Sequence, residues 1–222
     1  MGRDLWARRK GRLDESVAAV VIAGMVTMVS LFVVLFLPPV KSFMDTILPA
    51  GTPPNDFPRI ASIGLLFFLG ILGALLLMYA FSYLSRLFSG AKEASTKSFF
   101  IHFGYAVLPL GVMKFLSDII DHVLRTWGAI FDVVSALFRD FPLNRIVIEE
   151  VTVKQLMTAN QTYVLQMALI GFGFGISLYV AYKLAVRMFP EDRDIAFRAF
   201  LPIGAFIFIM GMAALWALSA AL

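Results

Sequence analysis

Hydrophobic residues in this chain are concentrated in five long blocks, separated by stretches rich in charge, proline or polar side chains. A helix needs about 20 apolar residues to cross the hydrocarbon core of a bilayer, and each block has about that length. No block shows the alternation of a barrel strand, so we predict an all-α integral membrane protein with five transmembrane helices. The predicted spans are 17–37, 60–84, 99–120, 163–185 and 196–222.

The third block continues beyond its apolar part as an amphipathic pattern. If residues 114–139 are helical, the side chains on one flank of the helix are charged or small and those on the other flank are apolar. We therefore predict that the third helix extends to about Arg139 as an amphipathic outer helix, and that Pro109 kinks it. The polar flank consists of Lys114, Asp118, Asp121, Arg125, Gly128, Asp132 and Arg139.

Basic residues mark alternate ends of the predicted spans. They cluster in 3–12, 86–97 and 183–198, whereas the intervening segments are mixed or acidic. Lysine and arginine favour the cytoplasmic side, so we predict the N-terminus inside and the C-terminus outside. Residues 1–15 then form a cytoplasmic tail, 38–59 a proline-rich outer loop, and 121–158 the outer amphipathic helix and loop, with a strand or irregular loop at 146–153.

The composition limits what else the chain contains. The 222 residues are 60% hydrophobic and 15% charged, which leaves one transmembrane domain over 1–222 and no sizeable soluble domain. The net charge of +4 is spread over several flanks, which indicates lipid headgroups rather than nucleic acid as the partner. Without cysteine the chain has no disulfides, no iron-sulfur ligands of its own and no covalently attached haem.

Small residues at helical spacing predict close helix contacts. Gly70 and Ala74 lie four residues apart, and so do Gly171 and Gly175, whose face also carries Tyr179. Gly204 and Gly211 are one heptad apart and indicate a further packing seam.

Lys114, Asp118 and His122 are spaced four residues apart and can form a self-neutralising ladder on one helix face. Ionisable groups within a span commonly mark proton paths or substrate sites. We therefore take Lys114, Asp118, Asp121 and His122 as candidates for a quinone or proton site, with Asp118 or His122 handling protons near the headgroup. The alternative is a structural stripe that faces headgroups or a partner subunit.

Two histidines, His102 and His122, are candidate ligands of a b-type haem. They lie 20 positions apart in one predicted helix, about 30 Å along its axis, so one haem cannot bridge them. Each would need a second ligand from another helix, and methionine is available for that. A histidine hydrogen-bonded to a neighbour is the alternative for His102. The sequence carries no catalytic signature and no metal-ligand spacing.

Polar residues crowd the predicted outer end of the fourth span. They line a polar cavity that faces the Lys114 ladder, or they cap the helix and bond to a neighbouring one. These residues are Asn160, Gln161, Thr162 and Gln166.

Three stretches resemble a known family. They are YAVLPLG at 105–111 with His122 downstream, SLYVAYK at 177–183, and Leu201-Pro202 at the start of the last span. Together they resemble the membrane modules of polyferredoxin-type redox proteins, relatives of the nitrous-oxide-reductase maturation and periplasmic-nitrate-reductase quinol-oxidising subunits. The resemblance covers about half the chain. The family's ferredoxin cysteines are absent, and Lys114 and Asp118 stand where its members carry histidines.

The resemblance implies a membrane-anchoring or quinone-site subunit of a bacterial respiratory electron-transfer complex in the inner membrane. Such a subunit passes electrons between quinol and iron-sulfur or cytochrome partners, and is itself a non-catalytic part of the oxidoreductase. A small transporter or channel subunit, with the same ladder as its permeation site, is the alternative from another class. A purely structural or assembly subunit is the third.

Overall fold

The computed structural model describes residues 12–31, 42, 57–91, 94–139 and 157–220, and these residues form a helical bundle. The helices are α1 (Leu13–Leu31), α2 (Phe57–Ser89), α3 (Thr96–Phe103), α4 (Leu108–Arg139), α5 (Ala159–Met188) and α6 (Arg193–Ala220), with a 3₁₀ turn at Gly104–Val107 between α3 and α4.

In the part of the chain that is described, four helical segments are long and apolar enough to cross a membrane. The protein is therefore a multi-pass membrane protein whose apolar helices contact lipid. The four segments agree with the second to fifth predicted spans and run Phe67–Ser89, Thr96–Leu124, Ala159–Met188 and Arg193–Ser219. The first predicted span is helical over Leu13–Leu31.

Several predictions fall on residues outside the described ranges. These are the cytoplasmic tail up to residue 11, most of the proline-rich loop, and the segment after the amphipathic helix, including 146–153. The extension of the third helix to Arg139 is confirmed, since α4 ends there.

Polar residues outside the apolar blocks fix the helix ends. The Ser98 N–H bonds to the Ser95 side chain at the start of α3, and the Asp192 carboxylate accepts from two backbone N–H groups at the start of α6. Thr158 and Gln161 form a reciprocal capping box at the start of α5. Gly90 follows α2 with φ of 68°, a conformation that glycine adopts without strain.

The helices alternate in direction. Helix α1 runs parallel to the 3₁₀ turn and α4, because Gly104 of the turn meets Ser16 and Gly111 of α4 meets Ala23, in the same order along the chain. Helix α5 runs antiparallel to α4, since Leu110 bonds to Ser177 and Ser117 to Gln166. This alternation agrees with a chain that crosses the membrane at each span. Which end is cytoplasmic stays a prediction.

The larger hydrophobic core lies at the end of the bundle where α2 connects to α3 and α5 to α6. Phe99 packs on Phe103 and Phe189, and Phe81 packs on Phe206. The basic residues Arg86, Lys97 and Lys183 belong to the same end. Described residues of two of the three predicted cytoplasmic flanks, 86–97 and 183–198, thus lie on one side of the bundle, as the prediction of orientation requires.

The small-residue predictions have mixed outcomes. Ala74 is buried against Gly24 of α1, and Gly211 is buried against the Phe174 ring of α5, so both lie in close helix contacts. The prediction for Gly171 and Gly175 was wrong for the described part of the chain, where a Cβ at either position would meet no atom within 4 Å. The glycine of α5 that packs tightly is Gly173, whose added Cβ would lie 2.6 Å from the Met113 Cβ. A face chosen from small residues alone was therefore the wrong face of α5.

Pro109 interrupts the third span, and the interruption precedes the proline. In an α-helix the Tyr105 carbonyl would accept from the N–H of residue 109, which proline lacks. The carbonyl accepts instead from the Leu108 N–H, one residue earlier, and so closes a 3₁₀ turn. The Leu110 N–H then donates to the buried Ser177 Oγ of α5 at 2.9 Å. A side chain of the neighbouring helix α5 thus provides the hydrogen-bond acceptor for the Leu110 N–H, just after the break in the helix.

Replacing Ser177 with alanine should lower the free energy of unfolding by about 1–3 kcal/mol, because the buried Leu110 N–H loses its acceptor. The loss can be measured by sodium dodecyl sulfate titration in bicelles. The matched control is Ser82→Ala, since the buried Ser82 hydroxyl bonds to the Met78 carbonyl of its own helix. Equal losses for the two variants would contradict the role given to Ser177.

Candidate functional site

Helix α4 is amphipathic, and its polar flank faces into the bundle around Lys114. Lys114 is 2% exposed and Ser117 is fully buried. On the other flank Phe115 is 53% exposed and Trp127 is 42% exposed. A soluble helix would show the reverse arrangement, whereas a helix in lipid places apolar side chains outward and polar ones inward.

Lys114 and Asp118 form an ion pair four residues apart on α4. The lysine is buried, whereas the Asp118 side chain is 37% exposed. An isolated ammonium group in an apolar interior would be costly, so the pair with Asp118 is what allows Lys114 to be buried there. The first step of the predicted ladder is confirmed, and it connects the interior of the bundle to its surface.

Two further polar residues lie beside the ladder: Gln166, which was predicted to face it or to bond to a neighbouring helix, and Ser117, which was not singled out from the sequence. The Gln166 amide of α5 donates to the Ser117 carbonyl at 3.3 Å, and both side chains are buried. The Ser117 hydroxyl has no hydrogen-bond partner among the described residues. Leaving such a group unpaired costs about 1–3 kcal/mol. The sequence carried one signal that Ser117 belongs to this site: it follows Lys114 by three residues and therefore lies on the same helix face.

The remaining candidates occupy different places. Asp121 is partly buried one turn above Ser117, and His122 is exposed on α4. His102 lies on α3, where its Nδ1 is 2.7 Å from the Ser98 carbonyl of the same helix. The two histidines do not share one helix as predicted, because the 3₁₀ turn separates α3 from α4. His102 and His122 are 20 positions apart in the sequence, on successive helices. Haem binding by either histidine stays a prediction.

Most of the polar residues at the start of α5 have structural partners. Gln161 completes the capping box with Thr158, and the Thr162 hydroxyl donates to the Thr158 carbonyl at 3.2 Å. Gln166 makes the interhelical bond to α4. Capping and interhelical bonding therefore account for these three, and of the three Gln166 reaches the flank that carries Lys114.

The site thus combines a buried cation, a partly exposed carboxylate and an unpaired hydroxyl within one and a half turns of α4. Lysine and serine can donate to a carbonyl oxygen, and the carboxylate can accept a proton or a hydroxyl hydrogen. Within the described residues no three histidine, aspartate or glutamate side chains are grouped as metal ligands.

The chain matches no protein-family model, and it has no significant match among curated proteins or solved structures. The resemblance to polyferredoxin-type membrane modules therefore stays a prediction, and the proposed function depends on the geometry of the site.

Proposed function

We propose that the protein is a membrane-anchoring, quinone-site subunit of a bacterial respiratory electron-transfer complex in the inner membrane. The observation that supports the proposal is the ion pair of Lys114 and Asp118, held inside an apolar bundle. Replacing a buried ion pair by apolar residues is often neutral or stabilising, so a charge pair at this position suggests a use beyond packing.

The pattern of exposed side chains around the ion pair suits a ligand that enters from the lipid bilayer. Asp118 is the partly exposed member of the pair, and Phe115 and Ile119 beside it are exposed apolar side chains. A quinol has an apolar tail, which lipid-facing side chains accommodate, and a headgroup with two hydroxyls that can each donate and accept a hydrogen bond. Lys114 supplies a donor and Asp118 an acceptor.

Oxidation of a quinol at this site releases two electrons and two protons, and leaves the quinone. In the proposal Asp118 accepts a proton from the quinol hydroxyl, and the exposed His122 passes protons on to the aqueous side. The electrons go to iron-sulfur or cytochrome centres on partner subunits, because this chain has no cysteine ligands for clusters.

Replacing Asp118 by asparagine or His122 by alanine should slow quinol-linked turnover of the complex by at least about tenfold, since each removes a proton acceptor. The amide oxygen introduced by Asp118→Asn still accepts from Lys114, so the abundance of the complex should stay near that of the wild type. Both quantities are measured in native membranes, turnover with decylubiquinol and abundance by immunoblot.

The matched control is Asp194→Asn, the same chemical change at an exposed position at the opposite end of the bundle. Wild-type turnover in both Asp118→Asn and His122→Ala would contradict the proposal. Purification in mild detergent gives a second test. Co-purifying cytochrome or iron-sulfur chains support the respiratory subunit, whereas a colourless oligomer without partners that transports a solute would establish the transporter class.

A further inference from the structure

Ser117 differs from the other buried serines of the bundle. The hydroxyls of Ser82 and Ser89 donate to carbonyls three or four residues earlier in the chain, as serine in a membrane helix commonly does. Ser16 and Ser85 donate to carbonyls of neighbouring helices, those of Ile101 and Ala199, and Ser177 accepts from the Leu110 N–H. The Ser117 hydroxyl has no hydrogen-bond partner among the residues that the structure describes, although it is fully buried.

The position of Ser117 relates this unpaired hydroxyl to the ion pair. Ser117 is one turn above Lys114 on the inward face of α4 and is adjacent in sequence to Asp118. The Gln166 Nε2 of α5 donates a hydrogen bond to the Ser117 carbonyl oxygen at 3.3 Å. The backbone that carries the Ser117 hydroxyl is therefore fixed by a second helix. The hydroxyl is thus held in place without using its own hydrogen-bonding capacity.

We propose that Ser117 binds the ligand headgroup together with Lys114 and Asp118, and that the headgroup is uncharged. This inference depends on the proposed function and extends it by one binding residue. The headgroup enters by separating the Lys114–Asp118 pair at its partly exposed end. Lys114 and Ser117 then donate to one headgroup oxygen, and Asp118 accepts from a hydroxyl at the other.

Charge balance supports an uncharged headgroup. Lys114 and Asp118 neutralise each other, so an anionic or cationic ligand would add an unpaired charge to an apolar interior. A quinone or quinol adds none. The Ser117 hydroxyl suits such a ligand, because it can donate to a carbonyl oxygen and can also accept from a hydroxyl.

The test uses the full chain in phosphatidylcholine nanodiscs, with decylubiquinol as the probe, kept reduced under anaerobic conditions. Ser117→Ala should weaken binding of decylubiquinol by about three- to tenfold, the effect of one lost hydrogen bond between neutral groups. Its melting temperature without the probe should equal or exceed that of the wild type, because the substitution removes an unpaired buried hydroxyl. Ser82→Ala is the matched control and should bind the probe as the wild type does.

The outcomes separate this inference from the proposed function. Weaker binding with undiminished stability supports the assignment of Ser117. Unchanged affinity in Ser117→Ala, with binding lost in Asp118→Asn, overturns the inference and leaves the proposed function standing. Weaker binding together with a lowered melting temperature also overturns it, since Ser117 would then act on the fold. Failure of the wild type to bind decylubiquinol overturns both.

Discussion

Replacing Asp118 by leucine is expected to lower the free energy of unfolding by about 2–3 kcal/mol, whereas replacing Lys114 by methionine should cost less than about 1 kcal/mol. The asymmetry follows from exposure. Lys114 is 2% exposed, so removal of Asp118 leaves a buried ammonium group without a partner. Asp118 is 37% exposed, so it stays partly hydrated when Lys114 is gone. That exposure also places the first value below the usual cost of breaking a fully buried pair.

The matched control is the double variant Lys114→Met with Asp118→Leu, which removes both charges and should recover most of the lost stability. Sodium dodecyl sulfate titration in bicelles measures all four proteins under the same conditions. Equal losses for the two single variants, or no recovery in the double variant, would mean that Lys114 is not held in the bundle by Asp118.

Replacing Gly173 by alanine should destabilise the contact between α4 and α5 by about 1–3 kcal/mol, the usual cost of overpacking. The added Cβ would lie 2.6 Å from the Met113 Cβ and 3.1 Å from the Pro109 carbonyl oxygen. Neither atom is the end of a flexible side chain, so the two helices have to separate.

Gly171 and Gly175 provide controls on the same helix, because a Cβ at either position meets none of the described residues within 4 Å. Alanine at these positions should leave the free energy of unfolding unchanged or raise it by up to about 1 kcal/mol through helix propensity. The same titration measures the three variants. A Gly173→Ala protein as stable as the wild type would contradict the close contact, and a destabilised Gly171→Ala protein would indicate that a partner covers that face.

Hydropathy and short-range spacing predicted the features that depend on the local sequence. The apolar blocks indicated the helices because a spanning segment satisfies its own backbone hydrogen bonds. Lys114 and Asp118 could be paired because residues four apart on a helix are neighbours wherever the helix lies. The continuation of α4 to Arg139 was available from periodicity in the same way.

Features set by contacts between helices were not predictable from the sequence. Gly171, Gly173 and Gly175 lie on the same helix, and nothing local says that, of these three, Gly173 is the one that meets a neighbour. Ser117 was missed because a serine beside charged residues carries no distinctive pattern. The kink at Pro109 was predicted. Its position before the proline was not, because it depends on the hydrogen bond that the Leu108 N–H donates to the Tyr105 carbonyl.

The contact of the start of α1 with α3 and the 3₁₀ turn has a consequence for biosynthesis. Hydrogen bonds join Arg12 to Tyr105 and Ser16 to Ile101, residues separated by 93 and 85 positions. At translation rates of about 5–20 residues per second, the first helix waits on the order of 10 s in the bilayer before its partner emerges from the ribosome. During that interval lipid or the insertion machinery covers the surface that Gly104 and Gly111 later occupy. Assembly of this protein is therefore paced by its third span.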